Sequence, residues 1–129
     1  MKARLVLKEK VNNNSTSIFD FIVKGKKVGF LQLREKPSAG VGVPKNLASH
    51  IYYEINEEER GKGYGTKLLG LGLQKAKKIG LEDVSVSVMG NNVPSKKIIE
   101  KNGGVFIEQA TSPGGMMLRY QFNLTSENP

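Results

Sequence analysis

The sequence predicts a mixed α/β (α+β) domain with six or seven strands and two main helices. Residues 1–59 contain short β-rich segments with a period of two, residues 60–101 change to a helical period that one strand interrupts, and two further strands close the chain. The 129 residues suffice for one hydrophobic core, and no repeat or linker divides them. We therefore expect a single domain over residues 1–129, with a flexible tail at 125–129.

The first half of the chain predicts four strands. Residues 5–7 form a short apolar segment, and the segments 18–23 and 28–33 flank a glycine-containing turn, which is typical of a hairpin. Residues 37–48 carry two prolines and two glycines without a clear period, so we expect a loop there. In the fourth strand, 51–55, Ile51, Tyr53 and Ile55 alternate with Tyr52 and Glu54, which predicts two distinct faces.

A helix follows, because apolar residues recur at spacings of three and four. Gly80 comes after the last of them and can end the helix in a left-handed conformation. Gly70 and Gly72 inside this segment each lower helix stability by roughly 1 kcal/mol relative to alanine. We expect them to allow close packing of the helix on a sheet. The apolar stripe consists of Leu68, Leu69, Leu73, Ala76 and Ile79.

The remainder of the chain predicts a strand, a second helix and two closing strands. Valines alternate with serines over residues 84–88, which indicates a strand with one buried face. Asn92 is suited to cap the second helix, and Pro94 is tolerated in its first turn. The closing strands are residues 105–107 and 116–122. The strand–helix–strand unit predicts that strands 51–55 and 84–88 are parallel neighbours joined by a right-handed crossover.

The charge distribution favours a polyanionic ligand. The net charge is +8, and the segment from Arg60 to Lys101 holds nine basic side chains against three acidic ones. Such a stretch suits nucleic acid, an acidic membrane surface or a phosphorylated cofactor, and the alternative is a solvated lysine-rich helix face. Tyr64 is the one aromatic residue in this segment, so we do not expect a nucleic-acid surface built from stacking platforms.

Composition restricts metal sites and location. The chain has no cysteine and one histidine, so we expect no metal site and no disulfide. The sequence contains no apolar run of the length that a membrane span requires, and residues 1–8 regain charge too early for a signal peptide. We therefore expect a cytoplasmic protein that does not cross a membrane.

The segment 60–66, between a predicted strand and a predicted helix, contains Gly61, Gly63 and Gly65. Glycines leave the backbone accessible to a ligand, and the free N–H groups and dipole at a helix start attract negative charge. The spacing differs from that of a Walker P-loop and from that of the dinucleotide fingerprint. The pattern indicates a pyrophosphate site, with an ordinary tight turn as the alternative.

The pattern Arg60-x-x-Gly63-x-Gly65 resembles the acyl-CoA pyrophosphate signature of the GNAT superfamily of N-acetyltransferases, Gln/Arg-x-x-Gly-x-Gly/Ala. Residues 54–59 resemble the strand and acidic turn that precede this loop in the family. Residues 92–104 are similar to its second motif, Asn-x-x-Ala-x-x-(apolar)-Tyr-Glu-Lys-x-Gly-Phe. The resemblance extends over about residues 17–122.

The resemblance implies a twisted, mostly antiparallel sheet with a splayed parallel pair at its centre. It also implies an N-acetyltransferase that takes its acetyl group from acetyl-CoA. The pantetheine arm would lie between strands 51–55 and 84–88, and an unidentified primary amine would attack the thioester directly. The cofactor-binding residues that the resemblance implies are Tyr53, Ile55, Arg60, Gly61, Lys62, Gly63, Tyr64, Gly65, Thr66, Asn92, Ser95 and Lys97.

The sequence departs from the family pattern at two places. Ile99 stands where many relatives have a tyrosine thought to protonate the leaving thiolate, and residues 12–17 are too few for the two helices that many relatives insert there. The acceptor side is therefore open, closed by the loop 37–48, or closed by the second subunit of a homodimer. A non-catalytic acyl-CoA-binding or sensor domain remains the alternative function.

Glu54 and His50 are the candidates for the general base. Both lie with Tyr52 on one face of the fourth strand, near the expected thioester position. The alternative roles are an exposed carboxylate paired with a lysine for Glu54, and a hydrogen-bonded structural residue for His50. We expect residues 57–59 to form a solvated acidic turn and the Lys62 side chain to point to solvent.

Overall fold

The computed structural model describes residues 2–125 of the chain, so residues 126–129 of the predicted flexible tail lie outside the described residues. The described part forms seven strands and two α-helices. In chain order these are β1 (Ala3–Val11), β2 (Thr16–Val23), β3 (Lys26–Ser38), β4 (Ser49–Ile55), α1 (Tyr64–Lys78), β5 (Asp83–Met89), α2 (Val93–Lys101), β6 (Val105–Ser112) and β7 (Gly115–Asn123). Short 3₁₀ turns, Lys45–Leu47 and Glu57–Glu59, lie on either side of β4.

The strands form two antiparallel sheets. The first has the order β1-β2-β3-β4 and the second the order β5-β7-β6. The mixed α/β class and the mostly antiparallel strands are therefore confirmed. The predicted splaying of strands β4 and β5 is confirmed, because they lie side by side but belong to different sheets.

Side chains at the start of β4 explain this separation. The Ser85 N–H donates to His50 Nδ1 at 2.9 Å, and Ser49 Oγ donates to the Ser85 carbonyl at 3.3 Å. We call these contacts the His50–Ser85 junction. Side chains of β4 thus bind the main-chain groups of β5 that a ladder would otherwise use, and the later parts of the two strands line a cleft between them.

Several strands are longer than predicted, because polar residues extend them. β1 has nine residues and β3 has 13. The predicted hairpin of β2 and β3 is confirmed. Its turn is formed by Lys24 and Gly25, whose φ angles of 53° and 81° match the positive values that a type I′ turn requires at both central positions.

The helix α1 packs on the first sheet, as predicted. Gly72 lies so close to Leu31 of β3 that a Cβ atom would collide with the leucine side chain. The prediction is corrected for Gly70, where a Cβ atom would lie 3.1 Å from Asn102 Oδ1 at the end of α2 and not against a sheet. Gly80 follows the helix with φ at 93°, the left-handed conformation expected there. Ile79 is 50% exposed, so the apolar stripe ends before it. The stripe residues that α1 buries are Leu68, Leu69, Leu73 and Ala76.

The helix α2 is attached to the start of α1. The Asn92 carboxamide accepts a hydrogen bond from the Ser95 N–H at 3.2 Å, which confirms the predicted cap. At the other end, Asn102 Nδ2 donates to the Thr66 carbonyl at 3.1 Å. The Ile99 side chain is fully buried. Within residues 2–125, neither helix combines the length and the apolar character needed to cross a membrane.

Candidate active site

The separation of β4 from β5 creates a cleft of about 970 Å³. β4 and the later part of β5 form its walls, and the segment 60–66, the first turn of α2 and the loop after β3 complete it. Its volume lies in the range of small-molecule and cofactor sites. Of the predicted cofactor-binding residues, Lys62 does not line this cleft. The others do: Tyr53, Ile55, Arg60, Gly61, Gly63, Tyr64, Gly65, Thr66, Asn92, Ser95 and Lys97.

The segment 60–66 presents main-chain N–H groups to the cleft. Gly61 and Gly63 have φ angles of 78° and 80°, a conformation that glycine adopts readily. The helix α1 starts directly after Gly63, and no side chain of the described residues caps it. The N–H groups of its first turn are therefore available to an anion, and the helix dipole favours negative charge there.

The glycines of this segment have two different roles. A Cβ atom at Gly61 or Gly63 would meet nothing within 4 Å, so these residues face open space that a ligand can occupy. A Cβ atom at Gly65 would lie 2.5 Å from Ile98 Cδ1. Gly65 lines the cleft as well, and its missing side chain also allows α1 and α2 to pack together.

The turn before this segment is held by a buried carboxylate. Glu59 is 4% exposed, and its carboxylate lies 2.7 Å from Lys26 Nζ and 2.9 Å from Lys62 Nζ. Hydrogen bonds from Lys26 and Lys62 lower the pKa of Glu59. The prediction of a solvated Glu59 is wrong, because its buried carboxylate is bound by Lys26 of β3. The Lys62 side chain is 52% exposed, in agreement with its predicted direction, and its Nζ also binds Glu59.

The main chain of β4 faces the cleft at alternate residues. The Asn56 N–H donates to the Val28 carbonyl on β3 at 2.8 Å. The main-chain groups of Ile55 therefore point away from β3, and the Ile55 carbonyl accepts from Arg60 Nε at 3.0 Å. By the same alternation the N–H and C=O of Tyr53 point into the cleft, where they can bind an amide-containing ligand as another strand would.

A pair of hydroxyl groups spans the cleft. The hydroxyls of Tyr53 on β4 and Ser95 on α2 lie 3.0 Å apart in a hydrogen bond. Burial raises the pKa of Tyr53, and the hydrogen bond with Ser95 acts in the opposite direction. The phenol is therefore protonated at neutral pH and can donate a proton to a group in the cleft.

The two candidates for the base occupy different environments. Glu54 lines the cleft, and its carboxylate accepts a hydrogen bond from the Tyr52 hydroxyl at 2.6 Å, which raises the pKa of Tyr52. His50 is 9% exposed and does not line the cleft. Its Nδ1 accepts the Ser85 N–H, and burial lowers the pKa of His50.

The loop after β3 borders the end of the cleft that lies away from the segment 60–66. Residues 38–40 and Val43 line this end, and Gly42 packs against Pro113 in the turn between β6 and β7. Arg34 lines the same end, although the sequence analysis did not select it. The sequence does contain one indication: Arg34 follows Gln32 by two residues, so if the third strand continued past its predicted end both side chains would lie on one face.

Comparison with known proteins identifies the family. The model of the Acetyltransferase (GNAT) family matches residues 3–104. The chain belongs to this family. Among similar solved structures, the aminoglycoside acetyltransferase AAC(6')-Ib is in complex with coenzyme A, and the Salmonella typhimurium protein yncA, provisionally named an acetyltransferase, is in complex with acetyl-CoA.

Individual similar proteins share limited sequence identity with this chain. The Bacillus subtilis (strain 168) protein provisionally named phosphinothricin acetyltransferase YwnH is 36% identical over 69 residues, which are 54% of this chain and 41% of that protein. A crystal structure provisionally named phosphinothricin N-acetyltransferase has a TM-score of 0.71 at 20% identity and covers 97% of this chain and 100% of its own. The aminoglycoside acetyltransferase AAC(6')-Ib in complex with coenzyme A has a TM-score of 0.69 at 19% identity, over 84% of this chain and 66% of its own. At these identities the two structures show a shared fold.

Proposed function

We propose that this protein transfers the acetyl group of acetyl-CoA to the nitrogen of a primary amine. The observation that carries this proposal is the cleft itself. At one end of the cleft, the start of α1 has no cap from any described side chain and follows Gly61 and Gly63, which leave space for a ligand. Along the cleft, main-chain groups of β4 point into it. The first feature suits a pyrophosphate and the second suits the amides of a pantetheine arm.

The cofactor would lie along β4 with its phosphates at the start of α1. The N–H groups of residues 60–66 would bind the pyrophosphate, and Tyr53 and Ile55 would pair with the pantetheine amides. Asn92, Ser95 and Lys97 would contact the cofactor from α2. The side chain of Lys62 binds Glu59, so we assign Lys62 a contribution through its main chain.

The reaction requires one group that accepts a proton and one that donates a proton. The amine nitrogen attacks the thioester carbonyl carbon, and the C–S bond then breaks. Glu54 would accept the proton of the attacking nitrogen, directly or through water. We assign this role to Glu54 rather than His50, because His50 lies outside the cleft lining and its Nδ1 is already bonded.

Tyr53 would supply the proton for the departing thiolate. In an α-helix a long side chain points back over the residue four positions earlier, so a tyrosine at position 99 would bring its hydroxyl to the level of Ser95. The Tyr53 hydroxyl reaches Ser95 from the opposite wall. After the products leave, Glu54 would release its proton to solvent, and solvent would return a proton to Tyr53.

The function is tested by incubating the protein with acetyl-CoA and a panel of primary amines. The release of free CoA measures acetylation. We expect time-dependent acetylation of at least one amine class with acetyl-CoA. CoA binding together with no transfer to any amine would support the alternative, a non-catalytic acyl-CoA-binding domain.

A further inference from the structure

We propose that the acceptor end of the cleft binds primary amines that carry a carboxylate or a similar anion several bonds away from the amine, and that Arg34 holds this anion. The inference rests on the proposed function, because it names the acceptor class of the same site. Four features of Arg34 carry it: its position, its neutral partners, its fixed geometry and its separation from Glu54.

Arg34 lies in the wall of the cleft at the end bordered by the loop after β3. Its Nη1 donates to the Ser49 carbonyl at 3.1 Å, and its Nη2 donates to Gln32 Oε1 at 3.2 Å. Both acceptors are uncharged. A guanidinium group has five N–H donors, so three remain for a ligand.

No carboxylate within residues 2–125 forms an ion pair with the positive charge of Arg34. Arg119 shows the usual arrangement for a half-buried arginine, because its Nε and Nη2 lie 3.0 and 2.8 Å from Glu108 Oε2. Charged groups withdrawn from water are normally paired, so Arg34 is the exception that an anionic ligand would complete.

The bonds to Ser49 and Gln32 also fix the guanidinium before a ligand arrives. A planar group with parallel N–H donors matches the two oxygens of a carboxylate or the oxygens of a phosphorus acid. Because these two bonds already hold the side chain in place, an anion would bind without the full entropic cost of ordering an arginine.

The distance from Glu54 selects the length of the acceptor. Glu54 pairs with Phe30 of β3, and Gln32 and Arg34 follow on the same face, where Arg34 Nη2 donates to Gln32 Oε1. Four residues of strand separate the level of Glu54 from that of Arg34, about 13 Å at the usual rise. An amine next to Glu54 can therefore reach Arg34 with an anion at the far end of a chain, whereas the carboxylate of glycine is too close to its amine.

Straight-chain ω-amino acids from glycine to 6-aminohexanoate, each compared with the alkylamine of equal length, test this inference. We expect kcat/KM for 5-aminopentanoate or 6-aminohexanoate to exceed that for the matched alkylamine at least tenfold, with no such advantage for glycine. Equal values for the long amino acids and their alkylamines would overturn the proposal.

Two variants locate the effect. Arg34→Gln should reduce the ratio of the two kcat/KM values to about one, and Arg34→Lys should retain part of it. Arg4→Gln removes the same charge from an exposed position on β1, outside the cleft lining, and should keep the full ratio. A ratio that survives in folded Arg34→Gln, or that falls equally in Arg4→Gln, contradicts the role of Arg34.

A binding measurement separates this inference from the proposed function. 6-Aminohexanoate and hexylamine are titrated into the CoA-bound protein, and binding is followed by calorimetry. Tighter binding of the amino acid in wild type, lost in Arg34→Gln, would support the anion site even if no amine were acetylated. Equal binding of both compounds would reject the anion site even if hexylamine were a substrate.

Discussion

Gly63 combines a positive φ of 80° with open space beside its Cα. In Gly63→Val the branched side chain would occupy that space and would press against a pyrophosphate bound by the segment 60–66. We expect CoA to bind at least tenfold more weakly, a change of about 1.4 kcal/mol, and calorimetric titration measures it.

Gly25 offers a matched control for this change. Its φ is 81° and a Cβ there would also meet nothing within 4 Å, but it lies in the β2–β3 turn and not in the cleft lining. Gly25→Val introduces the same backbone strain and should leave CoA affinity unchanged. If folded Gly63→Val binds CoA as tightly as wild type, the segment 60–66 is an ordinary turn.

Tyr53 is the second residue on which a prediction depends. Tyr53→Phe removes the hydroxyl that we assign to protonation of the thiolate and keeps the main-chain groups of β4. We expect kcat to fall by about a hundredfold, the lower end of the usual effect of a positioned acid, because a thiolate leaves readily. CoA affinity should stay near the wild-type value. An undiminished kcat would assign the proton to water.

Glu54 gives a third prediction at this scale. In Glu54→Gln the carboxylate that we propose as acceptor of the amine proton is replaced by an amide of similar shape. We expect a lower kcat with CoA affinity retained, as steady-state kinetics and calorimetry can measure. Glu58→Gln, at an exposed carboxylate outside the cleft lining, serves as the control. Equal effects of the two changes would exclude Glu54 as the base.

Between elements, the His50–Ser85 junction makes stability depend on pH. Burial lowers the pKa of His50 in the folded state, so the unfolded chain binds a proton more readily below about pH 6.5. The free energy of unfolding should therefore decrease as the pH falls below that value. His50→Asn keeps a hydrogen-bond acceptor for the Ser85 N–H and does not titrate. Urea unfolding from pH 7 to pH 5 should show a smaller loss in this variant.

The helices were the most predictable elements of the fold. The Asn92 cap and Gly80 follow from local geometry and are present in the structure, and the apolar stripe of α1 is present as far as Ala76. The strand ends were less predictable, because polar residues of β1 and β3 are ordered by pairing with neighbours distant in sequence. For the same reason, the sequence could predict which residues lie beside the cleft but could not predict the contacts between them.

Three contacts show this limit at the site. The sequence places Glu59 in an acidic run, and only the fold brings Lys26 to it from the β2–β3 hairpin. Likewise, the sequence does not distinguish Gly65 from Gly61 and Gly63, and only the fold shows that Ile98 packs against Gly65. Arg34 could not be selected from the sequence, because only the folded structure shows that no carboxylate in its described part pairs with it.

For the whole molecule, CoA should act as a stabilising ligand. A ligand that binds the folded state alone raises the free energy of unfolding by about 2.7 kcal/mol at a concentration of 100 times Kd. We expect CoA and acetyl-CoA to raise Tm by several degrees in a thermal-shift assay, and NAD and ATP at equal concentration to raise it less. No shift with millimolar CoA would count against the cofactor site.

The separated strands also affect how the protein behaves in concentrated solution. The side of β4 that faces the cleft is a sheet edge, and no strand within residues 2–125 covers its main-chain groups near Tyr53. Uncovered edges are templates on which other chains add strands and aggregate. The His50–Ser85 junction closes one end of this edge, and a bound pantetheine arm would cover the rest. The cofactor would then protect the protein against self-association as well as supplying the acetyl group.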